Sequence, residues 1–129
     1  MNKIIKIILK TISVILISIL FVNSGIDKIL FFNKTVNGFK EKSNFSLNIS
    51  KVAIVFAILC TLIAPILLML SVILNNNLLL LLGSSMLIIF ITLANLFYHP
   101  ITDPKERNDL FKNFSIMGGL LMMLIYSFN

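Results

Sequence analysis

The sequence predicts an all-α integral membrane protein, a bundle of four transmembrane helices in a single domain over residues 1–129. Three observations predict it. Hydrophobic residues make up 58% of the chain and charged residues only 12%, a balance outside ordinary soluble usage. The apolar residues are gathered into four runs long enough to cross a bilayer. Lysines flank those runs instead of forming a patch, so the formal charge of +6 reads as interface anchoring and not as a nucleic-acid surface.

The runs fall at about residues 7–32, 52–74, 78–98 and 104–128. Each is expected to be helical because lipid offers no partner to unpaired backbone groups. In the first, Lys10 and Lys28 are separated by about 27 Å of helix at 1.5 Å per residue, so both ammonium groups can snorkel to opposite interfaces. The start Met1-Asn2-Lys3 followed by an apolar run also has the form of a secretory signal. Against that, apolar character resumes at Ile29-Leu30-Phe31-Phe32.

The second run carries Pro65, which predicts a kink. Its small residues Ala53, Ala57, Cys60 and Ala64 fall on one face and are expected to allow close helix approach. The same role is expected of Gly25 in the first helix, Gly83, Ser84 and Ser85 in the third, and Gly118 and Gly119 in the fourth. Asn75-Asn76-Asn77 leaves room only for a tight turn, which makes the second and third helices antiparallel neighbours. The stretch between the first and second runs reads as a polar connection. Before the fourth run, Asp103-Pro104-Lys105-Glu106 has the pattern of an N-cap acid, a proline at the first helical position and a glutamate at N3.

Cysteine and histidine usage excludes several chemistries. The lone Cys60 rules out an internal disulfide, a dithiol pair and a cysteine-based zinc site, and it is expected to be a dispensable packing residue. A single histidine, His99, cannot supply bis-histidine haem ligation. No catalytic residue, metal ligand set or cofactor is evident. The candidate binding residues are polar ones brought toward one membrane face by helix direction: Asn23, Asp27 and Lys28, then Asn95 and His99, then Lys112 and Asn113. Ionisable groups near lipid are costly, so they point to a site. The bland reading of the same residues is snorkelling lysines, a neutralising aspartate and a helix-ending histidine. On the functional reading, Asp27, Lys28, His99 and Asn113 are expected to form one hydrogen-bonded cluster.

Two of these segments resemble the DoxX family. Residues 21–28, Phe-Val-Asn-Ser-Gly-Ile-Asp-Lys, are similar to its first-helix signature. Phe97-Tyr98-His99-Pro100, followed by Lys112-Asn113 and then Gly118-Gly119-Leu120-Leu121, is similar to its later aromatic-His, Lys-Asn and Gly-Gly-Leu-Leu elements. The resemblance implies a compact four-helix membrane bundle and, loosely, membership of quinone-linked or redox-protective complexes. Two function classes follow, the first preferred and the second its alternative. One is a non-catalytic membrane subunit or scaffold that engages a membrane or peripheral protein, not acting as an enzyme on its own. The other is a site for a small molecule such as a quinone or lipid. A transporter is the weaker third, since the middles of the second and third helices show little polarity beyond serines and threonines.

An even number of spans predicts a multi-pass protein with both termini on one side. Three lysines (Lys3, Lys6, Lys10) lie on that side and eight cationic residues on the other, so the positive-inside rule predicts cytoplasmic connections. Asn44-Phe45-Ser46 offers a test, being a glycosylation acceptor in form. In a eukaryotic secretory system no glycosidase-sensitive gel shift is expected. A shift abolished by Asn44→Gln would reverse the assignment.

Overall fold

In the computed structural model, which describes residues 2–98 and 104–128, the chain is all-α, with five helices and no strand among the described residues. They are α1 (Lys3–Leu30), α2 (Phe32–Ser43), α3 (Leu47–Ile73), α4 (Asn77–Tyr98) and α5 (Arg107–Ser127). Four of them, all but α2, are long and apolar enough to cross a membrane. Large apolar side chains cover their outer faces: Leu16 is 65% exposed, Val52 70% and Leu96 71%. Water would disfavour that surface, whereas a hydrocarbon solvent matches it.

α1 is capped by the Asn2 carboxamide, which accepts from the Ile4 amide at 2.9 Å. It runs on to Leu30, and the single residue Phe31 separates it from α2. α2 corrects the expectation of a polar connection, because residues 32–43 form a twelve-residue amphipathic helix. Phe32, Val36 and Phe39, at helical spacing, face Ile54 of α3 and Phe97 and Tyr98 of α4, while Lys34, Asn37 and Lys40 stay exposed. Asn44 in the left-handed region (φ 60°) ends it, its amide bonding the Lys40 carbonyl.

α3 begins at Leu47, earlier than the apolar run, with the Ser46 hydroxyl accepting from the Ile49 amide. It continues as one helix through Pro65, which is fully buried. Asn75 (φ 50°) makes the turn into α4, and the Asn76 side chain accepts from the Leu78 amide. α5 also differs from expectation. Pro104, Lys105 and Glu106 form a turn, α5 starts at Arg107, and Glu106 occupies the cap position without a side-chain cap bond. Asp103 lies outside the described residues.

α3 is the hub, packed against α1 on one side and α4 on the other, and α5 packs on α4. The main core joins all four long helices through Val14, Phe21, Ala64, Leu68, Leu80, Leu87, Ile91 and Leu120. Two glycines set the closest approaches. A Cβ on Gly25 would stand 2.7 Å from both Leu62 Cδ2 and Thr61 Oγ1 of α3. One on Gly83 would stand 2.9 Å from Leu68 Cδ2 and 3.0 Å from the Ala64 carbonyl oxygen. Small residues at helix contacts in lipid serve this purpose, because van der Waals packing must replace the missing hydrophobic drive. Gly118 and Gly119 do not do the same. Both are exposed, a Cβ on Gly118 would meet nothing within 4 Å, and one on Gly119 would reach only Ile17 at 3.9 Å. The Lys10 ammonium lies 5.5 Å from the centroid of the Tyr126 ring, so the start of α1 and the end of α5 share one end of the bundle.

These contacts separate two alanine substitutions. Gly25→Ala forces Leu62 and Thr61 apart and is expected to destabilise the bundle by about 1–3 kcal/mol. Gly118→Ala enters open space and is expected to be neutral or stabilising by up to about 1 kcal/mol through helix propensity. Unfolding titrations in mixed micelles measure both. Equal losses at the two positions would contradict the packing described.

Candidate functional site

At the α2 end of the bundle, where α1 finishes and α5 begins, the helices border a half-open cavity of about 820 Å³. Its origin lies in which side chains are small and where α2 sits. On α3, Ala53 and Ala57 supply methyl groups where larger residues would fill the space. Ala94 does the same on α4. The small-residue face of α3 therefore has two roles. Ala64 lets α4 approach at Gly83, whereas Ala53 and Ala57 leave volume open. α2 supplies a further wall through Lys34, Thr35, Gly38 and Phe39.

The polar groups of the cavity come mainly from the last two turns of α1. Asn23, Ser24, Asp27 and Lys28 line it, joined by Asn113 from α5. Lys28 is the most constrained. Its ammonium donates to the Ser24 hydroxyl at 2.5 Å, approaches the Ser24 carbonyl at 3.5 Å and lies 5.4 Å from the centroid of the Phe90 ring. The four-residue spacing places Ser24 one turn below Lys28 on the same face. Phe90 is held in turn by an edge contact with Phe21, centroids 6.2 Å apart.

Four of the seven candidate residues read from the sequence thus line one cavity: Asn23, Asp27, Lys28 and Asn113. Asn95 stands beside it. It is buried, and its side-chain oxygen accepts from the Asn113 amide at 2.8 Å, while its own NH2 has no protein partner. Lys112 does not join them. It is exposed on α5 and reaches back to Asp109 at 3.9 Å. His99 lies outside the described residues. The expected pairing of Asp27 with Lys28 is not made, and adjacency in sequence explains why. Consecutive helical residues point about 100° apart, so the exposed Asp27 carboxylate and the inward Lys28 ammonium diverge. Asn113 is likewise committed to Asn95 and not to Lys28.

Sequence reading missed Ser24, Phe90, Lys34 and the aromatic roof. A signal for Ser24 was present in its spacing from Lys28. The rest depends on α2, whose apolar positions 32, 36 and 39 are too few for a membrane span but sufficient for a helix lying along a bundle. The roof is held by Phe39, whose ring is 5.4 Å from that of Phe97 and 5.9 Å from that of Tyr98, with Phe45 5.7 Å from Phe97. Lys42 ties it down from the outer edge. Its ammonium lies 5.1 Å from the Tyr98 ring centroid, donates to the Tyr98 carbonyl at 3.4 Å and pairs with Glu106 at 3.6 Å.

The arrangement offers an ammonium donor, carboxamides and a carboxylate together with an apolar, aromatic wall. No group of three or more histidine, cysteine, aspartate or glutamate residues suited to a metal occurs among the described residues. Comparison with family models, with curated proteins and with solved structures finds no match for this chain. The geometry of the cavity therefore carries the functional reading.

The Lys42 contacts predict a local effect. Lys42→Met keeps the stem but removes the charge, and should release α2 by about 1 kcal/mol, from one exposed ion pair and one cation–π contact. Hydrogen exchange across residues 32–43 should then quicken about fivefold, with α3 and α4 unchanged. Unaltered exchange in α2 would show that the aromatic contacts alone hold it.

Proposed function

We propose that this multi-pass membrane chain binds a small amphiphilic molecule, a lipid or quinone, in the cavity beneath α2. One observation carries the reading: a mainly apolar cavity, whose walls come from all five helices, also presents a small group of polar side chains, Asn23, Ser24, Asp27, Lys28 and Asn113 among them. Such a combination suits a ligand with a polar head and a hydrocarbon or isoprenoid tail. The size is in the range of small-molecule sites, which run from about 300 to 1,000 Å³. The likeness of residues 21–28 and 112–121 to DoxX segments supports the same reading, since both segments contribute to the cavity. Binding, not catalysis, is the role proposed for this chain. The polar residues act as hydrogen-bond donors and acceptors to the head.

The competing role is a scaffold that recruits another protein. Purification in mild detergent followed by mass spectrometry of proteins and extracted small molecules distinguishes the two. The expected result is a lipid or quinone present at about one per chain and lost from Ala94→Phe, a substitution that fills the cavity. A stoichiometric protein partner with no retained amphiphile would replace the binding reading with the scaffold.

A further inference from the structure

We propose that the molecule bound beneath α2 is an anionic lipid with a compact oxyanion head, a phosphate monoester or carboxylate, recognised by Lys28 and Lys34. The inference rests on the binding reading above and specifies its ligand.

The Lys28 ammonium has no salt-bridge partner among the described residues. Lys28 is turned into the protein, yet its ammonium contacts only neutral groups, the Ser24 hydroxyl and carbonyl and the face of Phe90. A half-buried ammonium at the edge of lipid is costly without an anion, and hydroxyl and ring contacts offset only part of that cost. Its nearest acid in sequence, Asp27, lines the same cavity from an exposed position beyond salt-bridge distance, and so offsets the Lys28 charge only in part. Lys34 of α2 borders the same cavity from an exposed position and is also without an ion pair among the described residues. Two cations and one carboxylate thus face the space, with Asn23 and Asn113 adding carboxamide donors. Compact oxyanions are the groups that such donors bind most strongly, through charge-assisted hydrogen bonds.

The remainder of the wall excludes a free anion as the intended occupant. Phe21, Phe56, Ile91 and Leu93 present hydrocarbon and aromatic surface with no further donor. A long acyl chain would cover it, whereas inorganic phosphate would leave it bare. Because one cation comes from α1 and the other from α2, the head group would also bridge the bundle and its amphipathic helix.

The experiment uses the full chain in phosphatidylcholine nanodiscs and measures retention of three probes: oleoyl lysophosphatidate, monooleoylglycerol and inorganic phosphate. The first two share a chain and differ in head charge, and the third has the head without the chain. Lysophosphatidate should bind about tenfold or more tightly than monooleoylglycerol, and the difference should shrink with added salt. Inorganic phosphate should neither bind nor compete. Lys28→Met should remove most of the preference and Lys28→Arg should keep it. Lys34→Met, at an exposed position, should reduce the preference about threefold, and keeps the test readable if Lys28→Met fails to fold. Equal retention of the charged and neutral lipids, insensitive to Lys28→Met and Lys34→Met but lost in Ala94→Phe, would overturn the anion selection and leave the cavity as a neutral-ligand site. Binding of inorganic phosphate as tight as that of lysophosphatidate would overturn the lipid. No retention of either lipid by the unmodified chain would overturn the binding reading itself.

Discussion

The distance between α3 and its two neighbours governs the rest of the structure. Gly25 and Gly83 remove the side chains that would hold α1 and α4 away, and each opposes α3 side-chain atoms that a methyl group would overlap. In water, burial of any apolar face would draw helices together. In hydrocarbon that drive vanishes, and the gain from contact must come from close atomic packing. The two glycine contacts do not lie at the same depth. Gly25, in the last turns of α1, meets α3 at Thr61 and Leu62, and Gly83, in the first turns of α4, meets it further along at Ala64 and Leu68. The cavity lies toward the α2 end, reaching from Leu20 and Phe21 of α1 to Phe39 of α2.

Side-chain polarity within the spans is managed mostly locally. Thr11, Ser13, Thr61, Ser84 and Thr92 each donate to a carbonyl four residues back, so these five hydroxyls are satisfied within their own helices, whereas the buried hydroxyls of Ser18 and Ser50 have no protein partner among the described residues. Thr61 has an added role, since Pro65 four residues later cannot donate to its carbonyl and leaves the turn one hydrogen bond short. The Thr61 hydroxyl, which faces Gly25, donates to the Ala57 and Ile58 carbonyls, at 2.8 and 3.1 Å, so its polar atom is satisfied at the point of closest helix approach. Polar side chains that do reach across helices are few, and they gather at the cavity end.

Long apolar runs make the four spans legible in the sequence, because stretches of this length with so few charges have few other solutions. Their ends are less legible. The amphipathic segment 32–43 contains four charged residues and reads as a loop until Phe32, Val36 and Phe39 are placed on a common face. The candidate site was legible to the extent that helix direction places residues at one end of a bundle, which is how Asn23, Lys28 and Asn113 come together. Rotation about each helix axis was not legible. Asp27 and Lys28 adjoin in the chain yet diverge in space, and Lys112 and Asn113 part in the same way. The glycine pair on α5 shows the converse limit, since a small residue permits a close approach without requiring one.

The hydrogen bond between Asn95 and Asn113 has a consequence for alignment. Elsewhere the contact between α4 and α5 is built from leucine, isoleucine and methionine, side chains of similar bulk that repeat along both helices. Such a surface is nearly degenerate to a slide by one turn, about 5.4 Å, which would present the same kinds of residue to one another. A buried carboxamide pair is not degenerate. Displacing it by a turn would strand two amides in hydrocarbon, so a single polar contact acts as a detent that selects one vertical setting of α5.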